Sequence, residues 1–478
     1  MNTSPAVDWA RRGPRASTWP VAYASRDDLV RFGRGNRQRV PRSAHAVLEP
    51  VADAVRLIRS QEATRIPDLL PLRYERMLAS PFAFYRGSAV VMAADLAAGP
   101  RTGLVVQLCG DAHLSNFGVF ASPERRLVFD LNDFDETYPG SFEWDVKRLA
   151  ASLEIAGREN GFSARQRRAL VLRGAASYRK AMLRFADLPS LAVWYAHLEV
   201  EKRLPLVTGT LTRAEYAEAA DVLARARRRD SQQALKKLTR VVDGEVRLAS
   251  EPPLLVPITE LMPRRDRDEL MEWIAGLLGQ YAETLTPDRR RLLQQYHLTD
   301  VGRRVVGVGS VGTAAWVALM TGADGTDPLV LQAKEAQPSV LEPWLERGRY
   351  EHQGERVVEG QRLVQAFGDV LLGWKSVELA DGRTQEYYLR QFRDWKGSFE
   401  TATMTPSGFG VYASMCGWTL ARAHARSGDR VAIAAYLGRG DAFDRAIAAH
   451  AVAYADKNAA DFAALGATAG AGLLAGGA

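Results

Sequence analysis

The stretch LCGDAHLSNFGVF, residues 108–120, places Asp111, His113, Ser115 and Asn116 at the exit of an apolar run. A carboxylate five positions before an amide suits phosphoryl transfer. The Asp accepts the proton of an attacking hydroxyl, the Asn offers an oxygen to Mg²⁺, and a further Asp beyond the next strand completes the metal site. The segment FDLNDFDE supplies Asp130, Asp133 and Asp135 at that point. Magnesium takes oxygen ligands, usually one or two carboxylates together with phosphates, so Asn116 with Asp133 or Asp130 is the expected metal set and Asp111 the expected base. Asp135 and Asp145 read as strand-end or helix-capping carboxylates, and His113 as a residue that orients the loop or touches substrate. A hydrolase with two metals on Asp111, His113 and the later acids is the competing chemistry. It lacks a later Asn-His or His-x-His pair.

Gly307, Gly309 and Gly312, with Ser310 between them, form G-x-G-x-x-G. Three readings apply: a strand-to-helix turn that binds a dinucleotide, a loop between two antiparallel strands that covers ATP phosphates, or a hairpin without ligand. The residues after Gly312 favour the second. TAAWVALM could be helix or strand, but GADGTD is a turn cluster through which a dinucleotide-fold helix would have to run. PLVLQAKEA then ends an apolar strand on Lys334. A lysine there is costly to bury unless an anion meets it; the expected role is to clamp the ATP phosphates, and an exposed strand-end lysine is the alternative. Downstream, GERVVEGQRL offers Glu355 and Glu359 one helical turn apart, with Glu359 the expected partner of Lys334.

These residues must be held by a mixed framework. Helical spacing covers residues 46–79. A turn and helix come next in SPFAFYRGSAVVMAADLAAG, which carries Arg86. Two strands flank the acidic loops, and SFEWDVKRLAASLEIAGRE reads as an amphipathic helix. A long helical region runs from about 163 to 240. VVDGEVRLASEPPLLVPI reads as a hairpin turning at Asp243-Gly244. Strands then dominate from about 300 to 396, and helices return after about 407. The expected organisation is an Arg-rich arm over 1–45, a helical catalytic lobe over 46–299, a β-rich nucleotide lobe over 300–396, C-terminal helices over 397–463 packing on the catalytic lobe, and a frayed Gly/Ala tail over 464–478.

Composition limits the alternatives. The chain has 478 residues, 47% hydrophobic and 25% charged, with 63 Lys+Arg against 56 Asp+Glu and a net charge of +7. Many of the arginines lie in the first 45 residues, read as a solvated arm or an anion-binding rim. No basic–aromatic platform follows, which argues against nucleic acid as a partner. Cys109 and Cys416 support neither a disulfide framework nor a zinc cluster, and a reducing, cytoplasmic setting is expected. No apolar run has membrane length, and the N-terminus lacks a signal-type apolar core.

The segment around Gly110-Asp111, Asn116 and Asp133-Phe134 resembles the catalytic core of aminoglycoside- and choline-type phosphotransferases, with EWDVKRLA and its Asp145 similar to the helix that follows there. Two features depart from that pattern. Cys109 stands where a histidine is usual, and 22 residues separate Asp111 from Asp133, a few more than usual. The glycine loop and Lys334 also follow the catalytic loop instead of preceding it, so the resemblance implies a circular permutation. Across nearly its whole length the chain resembles the bacterial domain of unknown function 2252 through SPFAFYRGSA, GDAHLSNFG, DLNDFDET, EWDVKRLAAS, VVGVGSVGT, KEAQPSVLEP and LARAHARSGD.

The combined expectation is an α+β protein with a permuted, kinase-like two-lobe fold that binds ATP and Mg²⁺ and phosphorylates a small-molecule hydroxyl. Arg86, His113, His424, Arg426 and Asp429 are candidate substrate contacts. AMP transfer on the same fold, nucleotide binding without catalysis, and NAD(P)-dependent oxidoreduction at the Gly307 loop are the alternatives.

Overall fold

The computed structural model describes residues 25–475 except 229–230, 243–244, 306, 324–326, 380–381 and 393–394. Four short strands frame the acidic loops. They are β1 (Val105–Leu108), β2 (Phe117–Ala121), β3 (Leu127–Leu131) and β4 (Tyr138–Ser141). β1 pairs with β4 and β2 with β3, both antiparallel. β3 is buried at every position, which is why its sequence is apolar apart from Asp130 and does not alternate. β5 (Thr239–Val242) and β6 (Glu245–Leu248) form the expected hairpin; its Asp-Gly turn lies outside the described residues.

A six-stranded antiparallel sheet holds the glycine motif. It is built from β7 (Leu255–Pro257), β8 (His297–Arg304), β9 (Ala315–Thr321), β10 (Pro328–Glu335), β11 (Gly373–Glu378) and β12 (Thr384–Gln391), in the order β11-β12-β10-β9-β8-β7. The ambiguous segment TAAWVALM is therefore strand. Its Ala315, Val317 and Leu319 are buried, and it pairs with β8 on one side and β10 on the other. Gly307–Gly312 joins two adjacent antiparallel strands and is not a strand-to-helix turn.

Seven of the helices hold the loops and the chain ends in place: α1 (Arg26–Arg39), α2 (Glu143–Glu159), α3 (Ala164–Ala186), α4 (Gln353–Val364), α5 (Pro406–Ser427), α6 (Arg430–Leu437) and α7 (Ala442–Ala475). α4 comes after β10 in the chain. α2 differs from its amphipathic expectation. It is buried on all sides from Glu143 to Gly157. Such burial is tolerable only where charges are met. Glu143 accepts from the Thr102 N–H and hydroxyl, both at 2.7 Å, and Glu154 pairs with Arg158 and Arg167 at 3.0 and 2.8 Å. One continuous core runs from β1–β4 through α2, α3 and α5 into α7.

The described parts of the expected arm and tail are helical. Residues 26–39 form α1, which docks on α6, while residues 1–24 lie outside the described residues. A Cβ on Gly33 would sit 2.1 Å from the Ala432 carbonyl oxygen, so only glycine permits this approach. Arg37 Nε and Arg42 Nη1 donate to the carbonyls of Tyr436 and Leu437 at 2.7 and 2.6 Å, satisfying the C-terminal end of α6. Those arginines are structural caps and not a solvated arm. The Gly/Ala-rich end continues α7 as helix to Ala475. Among the described residues no helix is long and apolar enough to cross a membrane.

Candidate active site

The loop between β1 and β2 is held from beneath by α2. Cys109 N–H and Gly110 N–H donate to the two Asp145 oxygens at 2.8 and 3.1 Å, and Leu114 N–H donates to Ser152 at 3.2 Å. Gly110 has φ +83°, and a Cβ there would lie 2.1 Å from the Glu136 carbonyl oxygen. The conformation and the space both require glycine.

This anchoring presents Asp111. Its Oδ1 lies 2.8 Å from Arg148 Nη2 and accepts from Arg148 Nε at 2.8 Å, while Oδ2 is 3.5 Å from His113 Nε2. Asn116 donates its amide to the Asp111 carbonyl at 2.7 Å, which turns the amide oxygen away from that bond. Burial holds the His113 imidazole at about 4, against the pull of Asp111, so it is neutral near pH 7. Cys109 is buried and its thiol is pushed well up by burial; it is inert packing.

Asp133, Asp135 and Lys334 meet across the boundary between the helical body and the six-stranded sheet. Lys334 Nζ lies 3.6 Å from Asp133 Oδ1 and is hydrogen-bonded to Asp135, which also accepts from the Tyr388 hydroxyl at 2.6 Å. Burial alone would lower the Lys334 ammonium, but Asp133 and Asp135 outweigh it and hold it well above its ordinary value. Burial likewise pushes the Asp133 carboxyl up, and Lys334 and Arg390 more than offset this, leaving it at about 2.

Asp111, His113, Asn116 and Asp133 line one cleft together with Gly307, Gly309 and Ser310. The glycine loop is fixed against the helical body. Arg76 donates to the Gly307 carbonyl at 2.6 Å, Arg65 to that of Val311 at 2.6 Å, and Ile66 N–H to that of Gly312 at 2.8 Å. Gly307 and Gly312 have φ of +69° and +91°, a region L side chains rarely enter.

Several candidates lie elsewhere or have other partners. Glu359 pairs with Arg362 at 2.6 Å, and Lys334 meets Asp133 and Asp135 instead of Glu359 or Glu355. Toward the site α4 turns Arg356, which donates to the carbonyls of Asp135, Thr137 and Gln337 at 2.9, 2.7 and 2.9 Å. Asp130 is buried against Arg422 at 2.6 Å and accepts from Ala366 N–H at 2.8 Å, so it stands outside the cleft and Asp133 is the acid that faces it. His424 bonds the Tyr178 hydroxyl at 2.8 Å and lies 3.2 Å from Asp145. Arg426 donates to the Gln365 carbonyl at 2.6 Å and stacks on Trp194, and Asp429 caps α6 through Val431 and Ala432 N–H at 3.0 Å. These three act in the framework. Arg86 lines the cleft.

Sequence reasoning missed Arg65, Glu136 and Arg148 and undervalued Asp135. Only Asp135 and Glu136 had a signal, the density of acids in NDFDE. Among the described residues no group of three His, Cys, Asp or Glu is placed to cage a metal ion. A Mg²⁺ ion shared with phosphates does not need such a cage. Asp133 Oδ1 is buried without a hydrogen-bond partner, and with the neighbouring Asn116 it fits that demand.

No curated protein and no solved structure matches the chain. A family model described as an uncharacterized protein conserved in bacteria, DUF2252, matches residues 65–468, and the chain belongs to that family.

Proposed function

We propose that the protein transfers a phosphoryl group from ATP–Mg²⁺ to the hydroxyl of a small molecule, on a kinase-like framework whose halves run in permuted order. The observation that carries this reading is the convergence of Lys334, Asp133 and Asp135, 199 positions apart for the Lys334–Asp135 pair, beside the cleft that Asp111, Asn116 and the glycine loop line. Supporting it, the glycine loop spans two antiparallel strands, the lysine sits on the strand after them, and a helix follows.

In this reading Asp111 accepts the proton of the attacking hydroxyl through Oδ2, while Arg148 holds Oδ1 and keeps the carboxylate oriented. Asp133 and Asn116 would hold Mg²⁺, which when bound neutralises phosphate charge. The backbone of Gly307–Ser310 covers the phosphates. Lys334 keeps the two strand-end carboxylates in place and supplies positive charge behind them. Little covalent chemistry is asked of the protein; positioning and charge complementarity lower the barrier.

A thermal-shift titration with ATP–Mg²⁺ against NAD(P)H, followed by detection of ADP or AMP, tests the reading. Ligand that binds only the folded state stabilises it by about 2.7 kcal/mol at a hundred times its dissociation constant. A response to ATP–Mg²⁺ with ADP as product is expected. AMP as product moves the reading to nucleotidyl transfer, and a response to NAD(P)H alone overturns it.

A further inference from the structure

We propose that Arg86 is a catalytic residue that binds the transferring phosphoryl group and takes up its charge. This rests on the phosphotransferase reading and extends it to a residue outside the catalytic loop and the sheet.

Most cations near the cleft already have partners. Lys334 is held by Asp135 and lies beside Asp133. Arg148 is engaged by Asp111 and the Tyr85 carbonyl, and Arg356 by three backbone carbonyls. Arg65 reaches the Val311 carbonyl. Arg86 differs from all of these. It stands at the end of the helix Pro81–Gly87, lines the cleft, and makes no side-chain hydrogen bond or ion pair with any described residue. Its Nε, like that of Arg65, is buried from solvent with no partner.

A guanidinium carries five N–H donors and does not give up its proton in a protein, so it cannot escape this situation by becoming neutral. Leaving such a group unsatisfied is expensive. The site it faces is one an anion would complete. Asp111 and Asp133 are the charges that act on it most, although neither is within ion-pair distance. The glycine loop packs on the backbone of the same residue, a Cβ on Gly309 lying 3.1 Å from the Arg86 carbonyl oxygen, and lines the cleft with it. A phosphoryl group between the base and the metal ligand, under that loop, therefore meets Arg86. A planar guanidinium engages two phosphate oxygens at once, which an ammonium cannot do.

The test compares wild type with Arg86→Ala, Arg86→Gln and Arg86→Lys, using Mg²⁺ with ATP, ADP and tripolyphosphate as probes. Because Arg86 makes no side-chain hydrogen bond and its Nε is unpaired, Arg86→Ala and Arg86→Gln should melt no lower than wild type. Wild type should bind ATP more tightly than ADP. Arg86→Ala and Arg86→Gln should weaken ATP and tripolyphosphate at least about tenfold while leaving ADP unchanged, and Arg86→Lys should recover part of the loss. Slow ATP hydrolysis should fall by about 10³–10⁵ in kcat, as for an arginine that stabilises phosphoryl-transfer charge. If Arg86→Gln binds all three probes as wild type does, or loses ADP as much as ATP, the inference is overturned while the phosphotransferase reading stands. If wild type binds tripolyphosphate through Arg86 but no nucleotide, the phosphotransferase reading fails and so does the assignment of Arg86 to a transferring phosphoryl group. Binding of none of the probes by wild type overturns both.

Discussion

Lys334 on β10 and Asp133 just beyond β3 place Nζ and Oδ1 3.6 Å apart, and this contact joins the six-stranded sheet to the acidic loops of the helical body. Lys334 is almost wholly buried, whereas the Asp133 and Asp135 side chains keep 38% and 26% of their exposure. The lysine therefore depends on the carboxylates more than they depend on it.

Lys334→Ala should cost about 1–3 kcal/mol, because it leaves two neighbouring carboxylates without their cation. Adding Asp135→Asn should cost less than the sum of the single changes, with a coupling of about 0.5–3 kcal/mol. Urea denaturation of the four proteins measures it; strictly additive losses would show that the contact carries no energy. Lys334→Ala should also lose the thermal response to ATP–Mg²⁺.

Three aspartates separate by role. Asp111→Asn should keep ATP–Mg²⁺ binding and lose turnover by about 10²–10⁴-fold, the usual worth of a general base. Asp133→Asn should weaken nucleotide binding only when Mg²⁺ is present. Asp130→Asn should leave the metal dependence untouched and destabilise the fold by about 3–5 kcal/mol, because Arg422 loses its buried partner. Calorimetric titration with and without Mg²⁺, together with denaturant melts, distinguishes the three. A loss of metal binding in Asp111→Asn with both strand acids dispensable would favour a metal site on Asp111 and His113.

Glu136 and His113 give opposite pH trends. Burial lifts the Glu136 carboxyl from 4.5 to about 7. The folded chain then keeps a proton that the unfolded chain releases between those values, so this contribution is present below about 4.5 and is lost as pH rises through 7. Glu136→Gln keeps an acceptor for the Val340 N–H and should stabilise the protein at pH 8 but hardly at pH 5. Burial lowers His113 from 6.5 to about 4, so its contribution is lost as pH falls from 6.5 through 4. Urea midpoints at the two pH values for wild type and Glu136→Gln check the sign. An equal effect at both would disprove ionisation of Glu136 in this range.

Asp145 is expected to act through the loop it holds. Asp145→Asn can accept only one of the two N–H groups of Cys109 and Gly110, which should cost about 1–3 kcal/mol. Amide exchange at residues 109–114 should accelerate more than exchange in α3. Unchanged protection of the loop would count against this anchoring.

The strands around the acidic loops, α2 and the hairpin at Thr239–Leu248 were legible in the sequence, because apolar runs and turn residues act over a few neighbours. So was the motif set of Asp111, Asn116, the glycines and Lys334, whose spacings are local. Partner choice was not. Glu359 is one helical turn from Arg362 and takes it, while Lys334 finds Asp135 from far away in the chain. Asp130 and Asp133 are indistinguishable as letters. They separate only when Arg422 arrives from α5 and buries Asp130, leaving Asp133 to face the cleft. The same holds for the ends of the chain. Arginines that read as a solvated arm become caps once α6 brings them unsatisfied carbonyls. Local spacing sets which groups a segment offers. Burial, and the partner that burial demands for every charge, is decided by what packs against it from elsewhere in the chain.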